Sequence, residues 1–165
     1  MKKILSIATA IVMLISQTDM YEIIWNNADD EIRQTLPIGI QAHACGIDAT
    51  EFEFMARVIE MESDRTDSLD GKILIAAVIL NRANPDNSEF PDTITGVLTQ
   101  SGQFTTVSGG WCTQNYTTTS RWAIVEAERA LAANEIPTDL LYFNCVGYNY
   151  GTPYGYVDGN YFMCG

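Results

Sequence analysis

Basic residues are scarce in this chain. Nine lysines and arginines stand against 21 aspartates and glutamates, for a formal net charge of −12. A surface this acidic repels phosphate backbones, which excludes nucleic acid as a partner. It also gives the body of the chain no electrostatic hold on an anionic membrane. Histidine is scarcer still: His43 is the only one. The four cysteines, Cys45, Cys112, Cys145 and Cys164, are widely spaced with no C-x-x-C. Ligand spacing for zinc is therefore missing, and no metal or cofactor is implied. No apolar run reaches the roughly 18–20 residues of a membrane-spanning helix. The longest is residues 4–15, broken only by Ser6 and Thr9 and preceded by Lys2 and Lys3. Its length and flanks are those of a signal-peptide core. The following Ser16-Gln17-Thr18-Asp19 lacks an A-x-A cleavage site, so an uncleaved N-terminal anchor stays open. Residues 1–18 are thus read as a signal peptide or N-terminal anchor, and membrane contact is expected through that segment alone. About 140 residues remain, enough for one domain with its own core.

Four cysteines fit an oxidising compartment, and the chain is expected to be secreted, periplasmic or associated with the cell wall. Cys145 and Cys164 each follow a short strand-like segment. That favours a Cys145–Cys164 bridge and leaves Cys45–Cys112 as the second. Buried thiols are the alternative.

Residues 19–46 read as a poorly patterned N-terminal arm with one helical group near 28–35. A helix is predicted over 50–62, opened by a Thr50/Glu53 capping box. A second, over 71–82, is apolar on nearly every side, the pattern of a helix buried all round, although a buried strand fits its β-branched run too. Asp92 is the expected cap of a short helix carrying Ile94, Val97 and Leu98, and Ser120 that of a helix over 121–134. Residues 101–119 form a long Gly, Ser and Thr segment of the kind that is functional or mobile. Strands are predicted at 140–144 and 160–163, with a Gly- and Tyr-rich loop between them. The fold class is α+β, mostly helical, with a small C-terminal antiparallel sheet.

Within the first helix, steps of about 100° place Phe52, Met55, Val58, Ile59 and Glu62 on one side. Glu53, Arg57 and Glu60 fall on the other. Glu62 is therefore a carboxylate set into an apolar stripe, while Glu60 faces water and Glu60→Gln is expected to change little. Low dielectric disfavours the charged form of a carboxyl and raises its pKa. A carboxylic acid still protonated near neutral pH can protonate a leaving group. The competing reading is a helix-end Glu turned out to solvent. Gln103 and Phe104 in the long segment, and Tyr142 and Asn144 in the first strand, offer amides and aromatic rings of the kind that recognise sugars. Tyr148, Tyr150, Tyr154 and Tyr156 could add a saccharide platform, or simply pack their own loop. Glycoside hydrolysis uses two carboxyl groups. The nearby candidates for a second are Asp64, Asp67 and Asp70, all in a polar loop. A lone embedded carboxyl suits a reaction whose nucleophile is the sugar's own 6-hydroxyl.

The order of Ala56-Arg57-Val58-Ile59, Glu62, Gly71-Lys72, residues 76–82 (AAVILNR), Phe90-Pro91-Asp92-Thr93 and Gly102-Gln103-Phe104 resembles the spore cortex-lytic enzyme and cell wall hydrolase family. Leu141-Tyr142-Phe143-Asn144 and Gly159-Asn160-Tyr161-Phe162 look like that family's closing strands. The resemblance implies a lysozyme-like helical core and a catalytic domain over 47–165. It implies action on peptidoglycan glycan strands between N-acetylmuramic acid and N-acetylglucosamine, and the chain is expected to be a monomer. It places the catalytic glutamate on Glu62 and favours lytic transglycosylation. The rival readings are a hydrolase using Asp64 or Asp67 and a non-catalytic wall-binding module.

Overall fold

The computed structural model describes residues 16–63, 68–110, 112 and 115–165. The apolar run at 4–15 lies outside the described residues, and so do Asp64 and Asp67. Among the described residues no helix is long and apolar enough to cross a membrane.

The lead-in is more ordered than its sequence suggests. It forms helix α1 (Gln17–Asn27), opened by a reciprocal Ser16/Asp19 capping box. Helix α2 (Asp30–Thr35) follows, with the Asp29 side chain accepting from the Ile32 amide. Helix α3 is Ile38–Ala44. The buried Gln41 amide ties α3 to α2 by donating to the carbonyls of Arg33 and Gln34. These short helices make few apolar contacts of their own, so their periodicity is too brief to read.

Helix α4 (Ala49–Glu62) begins ahead of the predicted capping box. Its N-cap is Asp48, whose carboxylate accepts from the amides of Thr50 and Glu51. Phe52, Met55, Val58 and Ile59 are buried, as the periodicity required, and Ala56 is buried with them. Helix α5 (Leu69–Arg82) runs through the centre of the fold and is buried on almost every side. This removes the strand alternative. Helix α6 (Ile94–Thr99) is capped by Thr93 rather than Asp92. A short helix, α7 (Thr105–Ser108), interrupts the long polar segment. Helix α8 (Thr118–Ala132) is capped by Thr117, three residues ahead of the expected Ser120, and packs along α5 and α4.

Three strands follow: β1 (Leu140–Asn144), β2 (Thr152–Val157) and β3 (Asn160–Cys164). They form an antiparallel sheet in the order β1-β3-β2. Strand β2 occupies what the sequence suggested was loop. The missed signal is Asp158-Gly159, a two-residue hairpin dipeptide whose residues both take positive φ, +51° and +84°. The two ends of α5 hold the sheet. At the start, Asp158 in that hairpin accepts from the Gly71 amide at 3.1 Å. A side chain at Gly71 would stand 2.6 Å from the same carboxylate, so the approach needs glycine. At the other end, Asn81 donates to the carbonyls of Pro137 and Leu140, and Arg82 donates to that of Leu141.

The expected disulfides are not formed: all four cysteines are free thiols. Cys164 pairs with Leu140 at the start of β1, whereas Cys145 lies beyond the end of that strand. Antiparallel pairing therefore sends the two thiols to opposite ends of the sheet, roughly 17 Å apart at ~3.4 Å per residue. Cys45 and Cys112 sit toward opposite ends of α4, with Cys45 just ahead of it and Cys112 within electrostatic reach of Glu62. A 14-residue helix is about 21 Å long, and a bridge tolerates at most about 7 Å between Cα atoms.

Candidate functional site

Glu62 is the last residue of α4. The Ser63 amide and hydroxyl both donate to the Ile59 carbonyl, closing the helix behind it. The Glu62 side chain is half-buried, and its Oε1 accepts a 2.6 Å hydrogen bond from the Thr106 hydroxyl of α7. Burial raises its pKa above the ordinary carboxyl value and outweighs the opposing hydrogen bonds of Thr106. The fold thus sets a carboxyl whose charged form burial disfavours at a helix end, with one of its oxygens engaged by Thr106. Nothing in the periodicity marked Thr106, because its contact depends on how the 101–119 segment folds back.

Glu60 does not face water. Its Oε2 accepts from the Lys72 ammonium (3.1 Å), the Ser120 hydroxyl (2.5 Å), and the hydroxyl and amide of Thr117 (2.7 and 3.0 Å). Burial alone would push its pKa up. The hydrogen bonds of Ser120, Thr117 and Lys72 together overcome this and hold it at about 2. The sequence signal was Lys72 itself, a lysine only 1% exposed inside a helix buried all round. A lysine so placed must meet a carboxylate or other acceptors.

From Glu62 the chain 102–106 leads to a cavity of about 470 Å³. Gly102 takes φ +80°, and Phe104 plugs the core at 2% exposure, its ring 6.2 Å from that of Phe143. Gln103 lines the cavity and accepts from Arg82 at 3.2 Å. Tyr142 lines it too, donating to Glu89 at 2.8 Å and stacking on Tyr150 with centroids 5.5 Å apart. Asn144 completes the wall. Its Oδ1 accepts from the amides of Val146 and Gly147, while its buried Nδ2 has no hydrogen-bond partner among the described residues. The Arg82 guanidinium lies 4.7 Å over Phe90. Burial lowers its pKa to about 10, which leaves it charged at neutral pH. Arg82 does more than complement a helix end: it ties α5, β1 and Gln103 together.

Gln103, Tyr142 and Asn144 therefore share one cavity. Phe104 is a buried anchor behind it. Glu62 does not line the cavity and is joined to it through Thr106, three residues beyond Gln103. A second cavity of about 480 Å³ opens beside Cys45, Glu51, Asp92 and Glu128 and contains none of the candidate catalytic or sugar-binding residues. Among the described residues no cluster of histidine, cysteine, aspartate or glutamate could hold a metal ion.

These features define a mostly helical α+β domain with a half-buried acid joined through Thr106 to the segment that walls a polar, aromatic-lined cavity. Residues 66–153 match the cell wall hydrolase family, just over half of the chain, and the chain belongs to that family. The match begins four residues beyond Glu62 and includes Arg82, Gln103, Thr106, Tyr142 and Asn144. The chain is 33% identical over 82 residues to a spore cortex-lytic enzyme of Oceanobacillus iheyensis, covering 50% of this chain and 29% of that protein. The aligned stretch therefore spans under a third of that relative. The fold is that of the catalytic domain of the germination-specific lytic transglycosylase SleB from Bacillus anthracis. That likeness has a TM-score of 0.57 and 24% identity, over 72% of this chain and 97% of that domain. The SleB catalytic domain of Bacillus cereus matches equally well, with a TM-score of 0.57 and 23% identity over 70% of this chain and 91% of that one.

Proposed function

We propose that this chain cleaves the glycan strands of peptidoglycan at the cell wall, as a lytic transglycosylase with Glu62 as its acid and base. The observation that carries the reading is the half-buried Glu62 carboxyl, its pKa raised by burial, held by Thr106 in a member of the cell wall hydrolase family. In the first step protonated Glu62 gives its proton to the oxygen bridging N-acetylmuramic acid and N-acetylglucosamine. The bond from that oxygen to C1 of the muramic residue breaks. In the second step the Glu62 carboxylate takes the proton of the same residue's 6-hydroxyl as that oxygen bonds to C1. A 1,6-anhydro ring closes, Glu62 is protonated again, and no water is consumed. Gln103, Tyr142 and Asn144 hold the strand: the amides meet acetamido and hydroxyl groups, and the Tyr142 ring covers an apolar sugar face. Phe104 supports them from the core.

Mass spectrometry of products from purified peptidoglycan tests this. Anhydro-muramoyl ends, one water lighter than reducing ends, are expected. Reducing ends would instead establish a hydrolase with a second carboxylate, for which Asp64 and Asp67 are the candidates. Glu62→Gln keeps the shape and removes the titrating proton. It is expected to lower the rate by at least the 10²–10⁴-fold typical of an acid–base group. A Glu62→Gln variant that clears cell walls at the parent rate would refute the assignment.

A further inference from the structure

Phe143 and Phe162 face the core, with centroids 5.8 Å apart. Alternation along the strands therefore turns Asn144 and Tyr161 outward. Tyr161 sits in the central strand, paired with Asn144 of β1 on one side and with Tyr156 of β2 on the other. Its ring lies 4.6 Å from that of Tyr156, and Tyr148 meets it edge-on at 5.0 Å and 80°. Tyr148, Tyr150 and Tyr156 are 44%, 60% and 59% exposed. Tyr150 stacks on Tyr142, which is a wall of the cavity. Asn144, a wall of the cavity, is the strand partner of Tyr161, so an aromatic strip begins next to the cavity and crosses the sheet over two strand spacings, about 10 Å.

We propose that this strip is a second saccharide-binding surface, on which the glycan strand lies after leaving the cavity. The inference rests on the reading that the cavity takes peptidoglycan. Exposed rings grouped this closely mark an interaction surface. They offer apolar faces for sugar rings and phenol hydroxyls for sugar oxygens, the combination that suits aromatic side chains to partners with both apolar and wet parts. The chain's net charge is −12, which disfavours an anionic lipid surface as occupant. The strip's junction with the cavity at Asn144, the cavity wall residue paired with Tyr161, selects the strand already held there.

The test compares Tyr148→Ala/Tyr156→Ala with Val146→Ala, a 75% exposed control in the same loop. Binding to insoluble peptidoglycan is measured in the Glu62→Gln background, where nothing is cut. The double variant is expected to bind at least about fivefold more weakly, a modest loss for two ring faces. With Glu62 intact it should raise KM on long strands and leave kcat on short muropeptide oligomers unchanged. Tyr156→Trp should keep the affinity. Undiminished binding by the double variant overturns the proposal. So does an equal loss on short oligomers, a lowered melting temperature (the rings would then be packing), or a parent dimer that the variant dissolves in sedimentation (the occupant would then be a second copy). A parent that binds through these tyrosines but releases no muropeptide refutes the cleavage reading and leaves the surface standing.

Discussion

Glu60→Gln is the substitution whose consequence the structure changes most. Four donors converge on one oxygen of Glu60, and one of them is an ammonium that is 1% exposed. Glutamine can still accept from some of them, but as a neutral group. A charge-assisted hydrogen bond contributes about 1.5–3 kcal/mol and a neutral one about 0.5–1.5, so four weakened bonds lose roughly 4–6 kcal/mol before any offset. The Glu60 side chain is 22% exposed, and the variant escapes part of the cost of desolvating a carboxylate. The net loss should be about 2–3 kcal/mol at neutral pH. That lowers the melting temperature by about 4–12 °C for a chain of this size. The pH dependence has a definite sign. A folded-state pKa of about 2, below the ordinary 4.5, contributes stability that is present above 4.5 and lost as pH falls toward 2. Urea unfolding of parent and variant at pH 7 and at successive pH values below 4.5 checks both claims. The difference between the two should be full at pH 7 and shrink as pH approaches 2. A difference under about 0.5 kcal/mol at pH 7, the scatter of ordinary surface substitutions, would refute the argument.

Glu62→Gln should do the opposite to stability. A raised folded-state pKa means the unfolded chain ionises first, so stability falls as pH rises from the ordinary carboxyl range through the folded value. The glutamine variant should therefore melt higher than the parent at pH 7–8 and equally at pH 3, by calorimetry. Thr106→Val removes the hydrogen bond that holds the Glu62 pKa down, so the alkaline limb of the pH–activity profile, where the proton of the acid is lost, should move upward; Thr106→Ser should restore the parent profile. Gly151→Ala should unfold the sheet edge or block expression. Gly151 takes φ +49°, and a methyl there would stand 1.8 Å from the Cys164 carbonyl, an overlap only backbone displacement relieves. Hydrogen exchange of the β2 and β3 amides would reveal the loss.

Much of the helical core was legible because burial follows a period that one sequence displays. The stripe of α4 and the all-round burial of α5 both appeared where the apolar residues put them. The starts of α4 and α8 were read two to three residues late because the true caps, Asp48 and Thr117, lie outside the apolar pattern that was used to find them. The thiol pairing failed for a topological reason. Two cysteines that each follow a strand are neighbours when the strands are parallel and far apart when they are antiparallel. Strand β2 was hidden by its glycine and proline, although the Asp158-Gly159 turn announced a hairpin.

Glu60 and Glu62 show where a single-helix argument stops. They are two residues apart, about 200° around α4, and their pKa values move in opposite directions. The face of each could be read from the helix alone. What covers each face could not, because the partners come from far along the chain: Ser120 is 60 residues from Glu60, and Thr106 is 44 from Glu62. Environments that push two carboxyls apart often mark an acid and a base working together. Here the ionised member is spent on Lys72, Ser120 and Thr117 and points away from Thr106 and the cavity beyond it. Glu60 is thus no second catalytic carboxylate. It fixes the last turn of α4 from behind, and so sets the position of the residue proposed to move the proton.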